Sequence, residues 1–375
     1  MSRFSDLLSP GARELSRHST PRPRLQPDQH SQPPLIRLDS NENPLGPSPL
    51  AIAAIRSALA NTNLYPDDDC GELRGQLAAH NNLPVEQTLV TAGSTGLLSL
   101  LCQTLLAPGL NAVTSERSFV VYSQIVRATG AHLIEAPMCE DTFDLAAILD
   151  AITADTRLIF LANPNNPTGT MLPASEVEEF LGQVPDHVVV ALDEAYYEYA
   201  AHFAALRGVV YSRSLDYVRQ SAAVVVLRTF SKVHGLAGLR VGYGFGPAEL
   251  LTYCAQMRNI YSVASLAETA ALAAIGDHHH IDRTLQLNAD QAQVLTKGLS
   301  DLGYRVVPTW TNFIYCDVGQ DALDFATRLQ TEGVVIRPLG PWGASRSVRV
   351  SIGTAVQNQF FLRNAPQSTR VEKRR

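Results

Sequence analysis

Lys232 closes the run Arg228-Thr229-Phe230-Ser231-Lys232, and Arg240 follows eight positions later. Two hydroxyls and a guanidinium are the groups that hold a phosphate dianion, and a lysine among them can carry the other end of a phosphorylated molecule as a Schiff base. A lysine after the apolar run 222–227 is also what an ordinary solvated strand end looks like, so this run alone does not decide.

Other stretches offer complementary groups. Asp193-Glu194-Ala195-Tyr196-Tyr197 ends the apolar run 188–192, at the kind of C-terminal strand edge where open α/β sheets bind ligands. A carboxylate there could cap the next segment. Facing a ring nitrogen instead, it would keep that nitrogen protonated, as an electron-sink cofactor requires. Asn163-Pro164-Asn165-Asn166-Pro167-Thr168-Gly169 has the composition of a turn, or it aims the Asn166 side chain at a phenolate oxygen. Thr91-Ala92-Gly93-Ser94-Thr95-Gly96 joins a strand to a helix; it is either a plain tight loop or an anion cradle of unpaired N–H groups. It lacks the Gly-Lys-Ser/Thr of a Walker loop. Gly242-Tyr243-Gly244-Phe245-Gly246 lacks the spacing of a dinucleotide fingerprint, and its glycines point to close backbone approach.

The elements that must position these groups follow from periodicity. Helical spacing marks 48–60, 71–80, 96–106, 144–152 and 174–181, and short apolar runs mark strands at 88–91, 112–114, 158–161, 188–192 and 224–227. This alternation predicts an α/β fold with a mostly parallel central sheet flanked by helices. A long helical stretch over 247–299, then strands at 305–307, 313–316, 334–336 and 348–352, predicts a smaller α+β C-terminal domain. The expected division is an N-terminal arm at 1–36, a large domain at 37–265, a small domain at 266–362 and a tail at 363–375. The arm is rich in Pro, Arg, Ser, Gln and His and cannot bury a core by itself; the last helix should end at Asn364-Ala365-Pro366.

Composition narrows the function classes. The chain has 375 residues, 45% of them hydrophobic, and a net charge of −6. That acidity argues against nucleic acid as a partner. No apolar run approaches a membrane span, and no signal-peptide pattern opens the chain, so a cytoplasmic protein is expected. The five cysteines have no Cys-x-x-Cys spacing and suggest neither a disulfide framework nor zinc. His278-His279-His280 reads as a solvated loop rather than a metal site.

Taken in order, Gly-Ser-Thr-Gly (93–96), Asn-Pro-Asn-Asn-Pro-Thr-Gly (163–169), Asp-Glu-Ala-Tyr (193–196), Thr-Phe-Ser-Lys (229–232) and Gly-Leu-Arg (238–240) resemble the fold-type I pyridoxal-phosphate enzymes. More narrowly, the chain is similar to the histidinol-phosphate aminotransferases. The stretches 39–49 (Asp-Ser-Asn-Glu-Asn-Pro-Leu-Gly-Pro-Ser-Pro), 64–67, 236–242 and 348–354 extend the likeness across roughly residues 36–354.

The resemblance implies roles. Lys232 would carry pyridoxal phosphate covalently and move a proton at the substrate Cα. Asp193 would pair with the ring nitrogen, Asn166 and Tyr196 with the phenolic oxygen, and Phe119 would stack on the ring. The phosphate would lie among Ser94, Thr95, Thr229, Ser231 and Arg240, with Tyr65 reaching in from a partner subunit of a homodimer. Arg349 would bind the substrate carboxylate, Arg337 a side-chain phosphate and Asn43 the substrate, while Asn312 would be architectural. The implied reaction is ping-pong transamination between histidinol phosphate and 2-oxoglutarate in histidine biosynthesis.

Some positions depart from the family pattern. A Tyr-x-Pro-Gly segment is usual upstream, whereas the comparable stretch here reads Arg17-His18-Ser19-Thr20-Pro21-Arg22-Pro23; Thr95-Gly96 replaces an acidic pair, and Ser262 an asparagine. An aminotransferase for aromatic or other amino acids, or a threonine-phosphate decarboxylase-like enzyme, would share the scaffold. An aminotransferase-like ligand-sensing regulator would need a DNA-binding segment that residues 1–36 do not supply.

Overall fold

The computed structural model describes residues 4, 7–18 and 35–368. Its strands are β1 (Ile36–Leu38), β2 (Thr88–Thr91), β3 (Asn111–Ser115), β4 (His132–Ala136), β5 (Met138–Cys139), β6 (Thr142–Phe143), β7 (Thr156–Ala162), β8 (Val189–Asp193), β9 (Val224–Thr229), β10 (Gly242–Phe245), β11 (Arg305–Val307), β12 (Phe313–Asp317), β13 (Val334–Pro338) and β14 (Ser347–Ser351).

Seven strands form the main sheet in the order β2-β10-β9-β8-β7-β3-β4. Neighbours are parallel except around β10, which runs antiparallel to both β2 and β9. The central runs Leu158-Ile159-Phe160-Leu161 and Val224-Val225-Val226-Leu227 are buried, and their β-branched and aromatic side chains suit a sheet covered on both faces. Parallel pairing also brings the C-terminal ends of β3, β7, β8 and β9 to one edge, so the loops that follow them converge.

The second sheet runs β1-β13-β14-β12-β11, antiparallel apart from β1, which pairs in parallel with β13. Helices Ala322–Thr331 and Ala355–Asn364 and the later turns of His278–Asp301 supply its core, including Phe325, Leu329, Phe361, Leu295 and Leu299. The last helix opens with a capping box between Thr354 and Gln357 and stops at Asn364, as the sequence predicts.

The long helical stretch resolves into Ala248–Gln256, Ser265–Ile275 and His278–Asp301. Ala267, Ala270, Ala271 and Ala274 of the middle helix lie in the core of the main sheet, packed against helix Pro49–Ala58. That helix therefore belongs with the first body although the expected division at 265/266 assigns it to the second. Conversely, β1 joins the second sheet. His278–His280 are not a loop but the first turn of a helix. Asp277 caps that turn by accepting from the His280 amide, and His280 is buried.

Part of the expected arm is also a docked element. Helix Pro10–His18 packs on helix Val121–Ala128, where Gly11 lies so close that a Cβ would run into the Ala128 carbonyl. Residues 19–34, which include most of the stretch compared with Tyr-x-Pro-Gly, and 369–375 of the expected tail, lie outside the described residues.

Candidate active site

At the C-terminal edge of the main sheet lies a cavity of about 380 Å³. Ser94, Thr95, Phe119, Asn166, Asp193, Tyr196, Thr229, Ser231, Lys232, Arg240, Arg337 and Arg349 all line it. The strand ends explain the convergence. Asp193 ends β8, Thr229 ends β9, the Asn163–Gly169 loop leaves β7, and the 93–96 turn leaves β2.

The lysine loop is fastened locally. The Thr229 hydroxyl accepts from the Ser231 amide (3.1 Å) and donates to the Ser231 hydroxyl (3.0 Å), while Gly235 N–H closes onto the Lys232 carbonyl (3.0 Å). Lys232 Nζ donates to the Asn41 carbonyl at 3.3 Å. Burial, aided by Arg349, pulls the amine down from its usual range to about 7. A large share is then neutral at physiological pH, which a nucleophile or proton acceptor needs.

Beside it is an anion cradle. Helix Ser94–Leu105 starts at Gly93 with no side chain capping its first amides. Arg240, held in a left-handed conformation (φ 54°), donates to the Ser231 hydroxyl (3.3 Å) and the Ala237 carbonyl (2.8 Å). A Cβ on Gly93 would sit 2.6 Å from Arg240 Nη2, and one on Gly242 would overlap the Ser94 amide. The β10 glycines thus give the close backbone approach predicted for them.

Asp193 forms the floor. Its carboxylate is buried and accepts from the Tyr122 hydroxyl (2.7 Å) and the Ala195 amide (3.2 Å). Desolvation raises its pKa against those hydrogen bonds, so a positive group arriving beside it would favour the charged form. Tyr196 accepts from Asn41 Nδ2 at 3.0 Å and keeps its own O–H free to donate. Asn166 spends its carbonyl oxygen on Arg349 Nη1 (2.6 Å), which turns its amide nitrogen into the remaining donor.

The opposite wall comes from the second sheet. Arg337 on β13 and Arg349 on β14 are partners in register. Both donate to the Asp39 carbonyl, Arg349 Nη2 at 2.9 Å and Arg337 Nε at 3.3 Å. The Asp39 carboxylate accepts from Arg337 Nη2 (3.2 Å) and from Arg37 (3.1 and 3.2 Å). Arg349 is buried, and its Nε has no hydrogen-bond partner among the described residues. Burial lowers Arg349 to about 10, which leaves it a cation at neutral pH.

Two expected site residues lie elsewhere. Asn43 does not line the cavity: its amide donates to the Val233 carbonyl (2.8 Å) and Thr284 (3.1 Å), and its oxygen accepts from Leu45 N–H (2.9 Å), so it braces the loop behind Lys232. Tyr65 is 82% exposed and stacks on Tyr261 at 4.7 Å, outside this chain's cavity. Asn312 donates to the Asn41 carbonyl at 2.9 Å, in keeping with a structural role.

Asp39, Asn41 and Tyr122 were not singled out from the sequence. Asn41 and Asp39 act in part through backbone carbonyls, which residue type does not encode. Tyr122 carries no signal beyond its place three residues after Phe119.

Comparison with known proteins agrees with this layout. The family model for aminotransferase class I and II matches residues 33–363. A histidinol-phosphate aminotransferase 2 of Pseudomonas fluorescens is 41% identical, with 96% of each chain covered. A histidinol-phosphate aminotransferase of Moorella thermoacetica is 40% identical over 88% of this chain and 84% of its own. Among solved structures, the histidinol-phosphate aminotransferase of Sinorhizobium meliloti in complex with pyridoxal-5′-phosphate superposes with a TM-score of 0.84 at 27% identity, covering 99% of both chains. With both bodies spanned by one match and the cavity at their junction included in it, this chain belongs to the class I and II aminotransferases.

Proposed function

We propose that the protein transfers the amino group of histidinol phosphate to 2-oxoglutarate, using pyridoxal phosphate, as a step of histidine biosynthesis in the cytoplasm. The observation that carries this reading is the pair Arg337 and Arg349, side by side across from Lys232 in one cavity. The amino donor would bring a phosphate dianion to these guanidinia and the oxo acid its carboxylates, so one wall can serve both half-reactions.

The residues present fit the cofactor. Lys232 would hold it covalently. The first amides of helix Ser94–Leu105, the hydroxyls of Thr229 and Ser231, and Arg240 would hold its phosphate, in a cradle that a Cβ at Gly93 would fill. Asp193 would face the ring nitrogen, and Phe119 would cover the ring. Asn166 and Tyr196 each have a donor left over for the phenolic oxygen. When bound, pyridoxal phosphate supplies the electron sink that makes the substrate Cα–H acidic.

The chain's own groups do the rest. The Lys232 amine would take the proton from the substrate Cα in one half-reaction and return a proton to Cα in the other. Arg349 and Arg337 fix the anionic end of the substrate so that this bond faces the lysine. Tyr122 holds Asp193 in place. We further take Tyr65 to complete the phosphate site of a second copy. Its ring is exposed and stacked on Tyr261, flanked in sequence by the exposed Leu64 and Ile260. No helix among the described residues is long and apolar enough to cross a membrane.

The test is amine transfer from histidinol phosphate against phenylalanine. Histidinol phosphate is expected to be preferred; a phenylalanine preference of roughly tenfold or more in kcat/KM would overturn the substrate and favour an aromatic aminotransferase. The cofactor assignment is checked by a visible absorption band in saturated wild type that is lost in Lys232→Ala.

A further inference from the structure

We propose that Asp141, outside the cavity, is a positioning residue: it ties the segment carrying Phe119 to the second sheet and so sets where that ring lies over the site. The proposal rests on the cofactor reading above for Phe119, and on geometry for the tie itself.

β5 and β6 form a two-residue hairpin whose central residues, Glu140 and Asp141, both have left-handed backbones (φ 50° and 77°). A type I′ turn needs positive φ at both centres and favours Asn-Gly or Asp-Gly; Glu-Asp is a poor choice for the turn alone. The conformation delivers a carboxylate into a buried position, where Asp141 is only 4% exposed. There it meets two guanidinia from different bodies. Oδ1 accepts from Arg117 Nη1 at 2.8 Å, and Oδ2 from Arg305 Nη1 of β11 at 2.8 Å.

Arg117 is the link to the site. Its own backbone is left-handed (φ 50°), and it lies two residues before Phe119. Its carbonyl accepts from Asn165 Nδ2 at 3.1 Å, next to Asn166, and the Ser118 hydroxyl donates to Asn165 Oδ1 at 3.3 Å. The Asp141 carbonyl closes the circuit by accepting from Thr170 at 2.9 Å, whose hydroxyl bonds Thr168, which in turn accepts from Asn165. One buried aspartate thereby joins β11 of the second sheet, through its carboxylate, to the loop after β3, and through its carbonyl to the loop after β7. Without the carboxylate, Arg117 keeps only the more exposed Glu116 at 3.1 Å as its ionic partner, on the other side of its guanidinium, so the segment should shift.

Three variants in the holoenzyme separate the roles. Asp141→Gly removes both ion pairs but relaxes the turn; Asp141→Asn keeps the shape and removes the charge; Arg305→Ala cuts only the link from Asp141 to the second sheet and leaves the Arg117–Tyr315 hydrogen bond. Expected are faster amide exchange over residues 116–122 in all three, an altered visible circular dichroism of bound cofactor, and kcat/KM lowered about tenfold for the Asp141 variants and about threefold for Arg305→Ala. A merely structural residue would lower Tm, least in Asp141→Gly, with kcat/KM and the dichroism unchanged. Exchange at 116–122 equal to wild type in the Asp141 variants, with or without an activity loss, overturns the proposal. Should wild type bind no cofactor, the functional reading fails, and the exchange measurement still decides whether the tie exists.

Discussion

The floor and the wall of the cavity solve opposite electrostatic problems. On the floor, Asp193 is buried with only neutral donors, Tyr122 and the Ala195 amide, hydrogen-bonded to it. On the wall, Arg337 and Arg349 share one aspartate, Asp39, whose carboxylate also holds Arg37 outside the cavity. Buried charge is costly unless compensated, so the floor is completed by a cation and the wall by anions. In the proposed function the first arrangement would select chemistry, because it would favour a protonated ring nitrogen. The second selects substrates, because it favours groups bearing phosphate or carboxylate. Each sits on a different sheet, so the two properties can change separately.

The largest expected effect comes from removing the floor's charge. Asp193→Asn should lower kcat on the order of 10³-fold, equivalent to ~4 kcal/mol, with little change in KM for the amino donor. An equal loss in KM would mean that the floor also binds substrate. On the wall, Arg349→Lys should reduce kcat/KM by roughly 10²-fold for both half-reactions, because a lysine cannot make the forked contact, while the visible band of bound cofactor stays unchanged. If the band changes too, floor and wall are not separable. A smaller effect, about tenfold, is expected from Tyr122→Phe. That hydrogen bond opposes the rise that burial imposes on Asp193, so losing it should move the acid limb of the kcat profile to higher pH.

The gentlest probe is pH itself. Because the Lys232 amine is pulled down to about 7, cofactor capture by cofactor-free protein should accelerate as pH rises through that value and level off above it. A rise continuing toward the ordinary lysine range would show that the amine is not desolvated as described.

The floor was largely legible in the sequence and the wall only in part. Asp193, Asn166, Tyr196 and Lys232 each end a strand or enter the loop after it, so a local string fixes both residue type and position. Arg337 and Arg349 were readable through resemblance, but their common partner Asp39 was not. It lies 298 residues from Arg337, and much of its work is done by a carbonyl oxygen. Asn43 shows the converse error: it belongs to a matching motif, yet its polar atoms are consumed in bracing Val233 and Thr284. The three histidines failed for another reason. Their place after Gly276-Asp277, between two helical patterns, points to a loop, whereas Asp277 caps a helix that starts at His278, and the third histidine is buried.

The pairing of β1 with β13 bears on when the enzyme comes into being. Ile36 finds its sheet partner at Val334, near the far end of the chain, and directly after β1 come Asp39, which holds the two arginines, and Asn41, which lines the cavity. During synthesis the main sheet can assemble long before that partner emerges. The cavity cannot, since its arginine wall and the segment that orders it are among the first and last residues to meet. A nascent or truncated chain ending before β13 should therefore hold a folded main sheet with no working site. Activity would then appear only once the whole molecule has closed on itself.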